Sequence, residues 1–165
     1  MGLERFAAEW RESYVEGASK DGANHANECV FCRLGSLAVD ESTGVIARGE
    51  QAFVVLNAYP YGSGHLLVVP YRHVSSLSAL SDDESEELFS LIRTASRAID
   101  QAYEPEGQNI GFNLGRAAGA GVPNHLHGHL LPRWNGDTNF MTSLGETRVL
   151  PESLGRTWQK ITAVW

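Results

Sequence analysis

His125-Leu126-His127-Gly128-His129-Leu130-Leu131-Pro132 sets three histidines at alternate positions, ahead of an apolar pair and a proline stop. Successive side chains of a β-strand turn to opposite faces, so this spacing predicts a strand over 125–132. It also puts the three imidazoles on one face, about 7 Å from one to the next. Surface filler has little reason to repeat histidine at period two. An imidazole row suits transition-metal binding or chemistry on a phosphate, because neutral histidine is both a ligand and a nucleophile near pH 7. Just upstream, Gly119-Ala120-Gly121 can turn backbone N–H groups toward a phosphate.

Outward from this stretch, β-branched and apolar runs predict strands over 45–48, 52–57 (AFVVLN) and 65–70 (HLLVVP), with a further one over 109–114. Ala58-Tyr59-Pro60-Tyr61-Gly62-Ser63-Gly64 is a turn by composition, which makes the first three an antiparallel meander. Ser81 and Glu84 form a capping box that starts a long helix. Leu88, Ile92, Ala95, Ile99 and Ala102 then lie on one stripe of it. Asp82, Asp83, Glu84, Glu86 and Glu87 crowd its first turns, where the helix dipole favours negative charge, and read as a solvated start. Glu104-Pro105-Glu106-Gly107 ends it. The expected fold is α+β: an antiparallel sheet of about five strands with one long helix packed on it.

The 165 residues suit one compact domain. Within it the reading is an N-terminal amphipathic helix (3–15) and polar loop over 1–28, a core over 29–150 and a C-terminal helical segment over 151–165. Apolar residues make up 42%, an ordinary globular balance with no run near the ~20 residues that cross a membrane. Met1-Gly2-Leu3-Glu4-Arg5 is charged where a secretory signal would be apolar, so the expected location is the cytoplasm. A formal net charge of −7 argues against nucleic acid as a partner. An anionic small substrate would then need a local cluster of donors. The two cysteines, Cys29 and Cys32, sit as Cys-x-x-Cys. Taken alone, the pair fits small core residues, a redox couple or half of a zinc site.

The histidine stretch resembles the signature of the histidine triad superfamily, in which apolar residues separate the three histidines. Gly128 departs from that pattern, which expects a bulkier residue there. Residues 53–74 and 109–139 are similar to the family's two conserved blocks. Trp10-Arg11 and the segment from Arg133-Trp134 to Phe140-Met141 look most like a bacterial branch related to diadenosine tetraphosphate phosphorylases and fragile-histidine-triad hydrolases.

This resemblance implies an enzyme that cleaves dinucleoside polyphosphates at the α-phosphate, through a covalent nucleotidyl-histidine. His127 would be the nucleophile. His129 and His65 would contact phosphates, Asn57 the ribose hydroxyls, and Asn113 would sit near the α-phosphate. Gly121 falls where the eukaryotic hydrolases carry glutamine, so its contact would be through the backbone. The resemblance also implies zinc, held by Cys29, Cys32, His73 and His125, with His25 an outside candidate. Two ligands of one zinc lie within about 4 Å, so His125 and His127 at strand spacing would not share it. Related proteins are commonly homodimers, and the long helix is a plausible interface. Alternatives are a nucleoside phosphoramidase and a slow-turnover nucleotide-binding module.

Overall fold

A computed structural model describes residues 29–137 and 152–165. The predicted helix over 3–15, the loop with His25 and the Thr138–Met141 part of the tail lie outside these residues. The sheet comprises β1 (Val45–Arg48), β2 (Ala52–Leu56), β3 (Leu66–Pro70), β4 (Gly107–Phe112) and β5 (Gly128–Arg133). Its order is β1-β2-β3-β5-β4, with every neighbouring pair antiparallel. A short helix α1 (Val30–Gly35) precedes it, α2 (Asp82–Tyr103) crosses it, and α3 (Leu154–Thr162) closes the chain.

Central strands β2 and β3 are buried at every position, which is why both read as unbroken apolar runs. Their side chains divide by parity. Val54, Leu56, Leu66 and Val68 join Leu126 and Leu130 against Leu88, Ile92, Ala95, Ala98 and Ile99 of α2. Phe53, Val55, Leu67 and Val69 face the other way, with Cys29 and Phe31 from the α1 region. His129 pairs with Leu67 across β3 and β5, so the histidines share the face away from α2.

Two strand boundaries differ from expectation. The ladder between β3 and β5 ends at Val68–Gly128, so His127 precedes the strand and His125 sits in the bend that closes the 122–125 turn. There Leu126 N–H donates to Val74 O, and His125 turns its ring onto Pro70 O instead of continuing the ladder. At the edge, β4 begins at Gly107, because Gln108 is anchored by Nε2 to Ser96 O and Asp100 Oδ1 of α2. Gly128 has a reason as well. A Cβ there would lie 2.9 Å from the Phe112 ring and 3.5 Å from Ile92, so the helix-facing layer has filled that space.

The acidic start of α2 is a correction. Its capping box is present, but Glu84 is buried and not solvated. Glu84 accepts from Arg72 Nε at 2.7 Å and Nη2 at 2.5 Å, while Glu87 accepts from the amides of Glu50 and Gln51. Hydrogen bonds from Arg72, then the Ser81 amide, hold the Glu84 carboxyl down at about 2. A depressed carboxylate stabilises the fold above its ordinary value near 4.5, and that contribution is lost as pH falls toward 2. In acid melts, Tm of the parent chain should therefore fall more steeply through this window than Tm of Glu84→Gln. Parallel curves would mean that the pair does not act on folding.

Candidate active site and metal centre

Residues 125–129 meet three different surroundings within five positions. His125 is fully buried, and its Nε2 donates to Pro70 O at 2.9 Å. With its proton there, Nδ1 keeps a lone pair. Cys29 Sγ lies 3.3 Å and Cys32 Sγ 3.5 Å from that Nδ1, and His73 Nδ1 is 3.3 Å from Cys32 Sγ. All four ligand atoms fall within 4.8 Å of one another. Donors around one tetrahedral zinc are about 3.5–4 Å apart, so the cluster is compact enough for a metal ion. Burial, and then the neighbouring Cys29, push the Cys32 thiol up to about 11. A cation among these donors would favour the thiolates instead.

His127 is buried, with Nδ1 2.8 Å from the carbonyl oxygen of His125. A carbonyl only accepts, so the proton is on Nδ1 and Nε2 holds a lone pair. Burial lowers its pKa, against a smaller opposing effect of that hydrogen bond. The imidazole is thus neutral near pH 7, as a nucleophile must be. Phe31, between the two cysteines, packs 4.8 Å from the His127 ring and 5.5 Å from His125.

The His129 ring centroid is 4.9 Å from that of His127, and only His129 of the two lies in the strand, which begins at Gly128. Burial, then the neighbouring His127, brings its pKa down to about 4. His129 Nδ1 meets His65 Nε2 at 3.0 Å, and Tyr61 stacks on the His129 ring at 5.9 Å. Asn57 faces His65, with Nδ2 3.2 Å from His65 Nδ1. Asn113 directly follows the last β4–β5 pair, Phe112–Gly128, at the end of β4 that leads toward the residues before Gly128. Two of the three amides in Gly119-Ala120-Gly121 already donate within their own loop, to Arg116 and Gly115 carbonyls. Beside Tyr61 and Leu131 opens a cavity of about 520 Å³, which Trp134, Tyr103 and Arg133 also line.

His65, Asn57, His127 and His129 are therefore brought together, and Cys29, Cys32, His73 and His125 form a separate cluster beside them. Sequence reasoning missed Phe31 and Tyr61. Phe31 had one available signal, its place inside Cys-x-x-Cys. Tyr61 acts partly through its backbone amide, which no residue type announces.

Comparison with known proteins places these features in context. A family model described as the HIT domain matches residues 40–136. The AP-4-A phosphorylase of Mycobacterium tuberculosis is 41% identical over 166 residues, covering 99% of this chain and 85% of that one. Among solved structures, a hypothetical histidine triad nucleotide-binding protein from Sulfolobus tokodaii superposes with a TM-score of 0.64 at 26% identity, over 82% of this chain and 91% of that one. A Zn-bound histidine triad family protein from Mycobacterium smegmatis gives 0.62 at 24% identity, over 85% of this chain and 94% of that one.

Proposed function

The chain belongs to the HIT domain family, and on that premise we propose that it is a nucleotidyl hydrolase or transferase that cleaves dinucleoside polyphosphates, such as diadenosine tetraphosphate, at the α-phosphate. The observation that carries this reading is the hydrogen bond from His127 Nδ1 to His125 O, which leaves Nε2 as the attacking atom. His127 Nε2 forms a bond to the α-phosphorus and the P–O bond to the remaining nucleotide breaks. The remaining nucleotide departs with the broken bond's electron pair on its terminal phosphate oxygen. Water or inorganic phosphate then attacks the nucleotidyl-histidine and returns the imidazole. In this reading His129, whose Nε2 has no partner among the described residues, and Asn113 donate to phosphate oxygens, and Asn57 and His65 support them. The AP-4-A phosphorylase relative supports the substrate class. The cavity lined by Tyr61, Leu131 and Trp134 is linked to the histidines through Tyr61, which packs on His65 and His129, and offers room for part of a large substrate.

In this reading Cys29, Cys32, His73 and His125 hold one zinc, which would staple the start of α1 to the lead-in of β5. Incubation with diadenosine tetraphosphate, with and without phosphate, tests the activity. ADP among the products only when phosphate is present identifies phosphorolysis, and AMP identifies hydrolysis. No cleavage under either condition would refute the reading.

The chain is further proposed to be a single domain that forms a cytoplasmic homodimer with no nucleic-acid or membrane partner. No helix among the described residues is long and apolar enough to cross a membrane. Phe89 of α2, 54% exposed, and Ile110 of edge strand β4, 48% exposed, offer apolar surface for a second copy. Light scattering at micromolar concentration should give twice the 18.0 kDa chain mass. A monomer mass would remove the dimer from the proposal.

A further inference from the structure

One backbone amide settles the protonation of two histidines. Tyr61 N lies 3.0 Å from His65 Nδ1, and a backbone N–H only donates. Asn57 Nδ2 approaches the same nitrogen at 3.2 Å. Its amide is held that way round because Asn57 Oδ1 accepts the Tyr59 N–H at 2.9 Å. His65 Nδ1 therefore holds a lone pair, and the ring proton is on Nε2.

That proton points at His129. His65 Nε2 is 3.0 Å from His129 Nδ1, so His65 donates and His129 Nδ1 accepts. With Nδ1 accepting, the ring proton of His129 is on Nε2. This last N–H is buried and has no hydrogen-bond partner among the described residues. A buried donor without a partner needs an acceptor.

The geometry points to His65 and Asn57 as positioning residues that lock His129 as an Nε2–H donor toward a substrate phosphate oxygen, an inference that rests on the phosphate site proposed above. His65 thereby acts through His129 and not on the phosphate itself. Asn57 likewise acts by orienting His65. The Tyr61 N–H occupies the Nδ1 lone pair, so His65 acts on His129 by orienting it. An inverted His129 would aim a lone pair at an anion, where the locked form aims a hydrogen-bond donor.

Nitrogen-15 NMR of the histidine-labelled full chain reads each ring tautomer directly. At neutral pH, His129 is expected as the Nε2–H form. His65→Gln should preserve it, because a carboxamide keeps the order of acceptor toward Tyr61 and donor toward His129. His65→Leu should release the ring to a mixture of tautomers. It should also weaken AMP binding and lower turnover of diadenosine tetraphosphate, by about tenfold to a hundredfold. His65→Gln should recover most of both. An Nδ1–H form of His129 in the parent chain would overturn the inference, as would a Gln variant no better than Leu. If Leu does not fold, the parent and Gln tautomers still decide the matter. Should the tautomers follow this pattern while no dinucleotide is cleaved, the lock stands and the proposed activity falls.

Discussion

His127→Asn is expected to lower turnover of diadenosine tetraphosphate by at least about four orders of magnitude while AMP still binds within about tenfold. Asparagine is the informative replacement because its amide nitrogen can take the place of Nδ1. The hydrogen bond to His125 O, 2.8 Å in the parent chain, is then available to the variant. What disappears is the Nε2 lone pair, and with it the covalent intermediate. Stabilisation made only in the transition state is lost, whereas ground-state contacts from the surrounding groups remain. The fold should be nearly indifferent, since Phe31 and His129 still flank the position. Parent-level rates would refute the mechanism. Equal loss of AMP binding and of turnover would instead assign His127 to binding.

Cys29→Ser should act on the opposite quantity. The protein purified without chelator should contain one zinc per chain, and the variant far less. Metal binding is coupled to folding, and losing about 3 kcal/mol in a chain of this size lowers Tm by about 10 °C. Cys29 is 6% exposed and its Sγ lies 3.3 Å from His125 Nδ1, so serine would leave a hard hydroxyl where a thiolate is wanted. Turnover per folded molecule should fall, but far less than in His127→Asn, because no reacting group is removed. A loss of about tenfold is expected, since Phe31 rides on the same short helix and packs against His127. Parent protein without metal would sink the zinc site. A Cys29→Ser variant that keeps both its metal and its Tm would also do so.

Local signals in the sequence were legible, and tertiary ones were not. Ser81 and Glu84 announce the α2 capping box because both partners lie within one turn. The second partner of Glu84, Arg72, lies 12 residues away across a turn, so the acid read as solvated. Alternating histidines mark a stretch whose imidazoles share one face. Period two describes extended backbone, however, and not the ladder beside it, so the strand was drawn three residues too early. The metal cluster joins residues up to 96 apart and came from family resemblance, not from spacing. The expectation that Asn57 binds ribose hydroxyls comes from family resemblance. Only the fold reveals that both ends of its amide face Tyr59 and His65.

The alternation over residues 125–130 has a consequence for chain length. Odd positions supply the ring beside the thiols, the ring under Phe31 and the ring against His65. Even positions supply Leu126, the gap beneath Phe112 and Leu130, all on the α2 side. Substitution tests one of these places at a time. Deleting or inserting a single residue would exchange every place at once, driving an imidazole toward Ile92 and a leucine among the sulfurs. The segment is thus a reading frame in three dimensions, and length changes are tolerable only outside it.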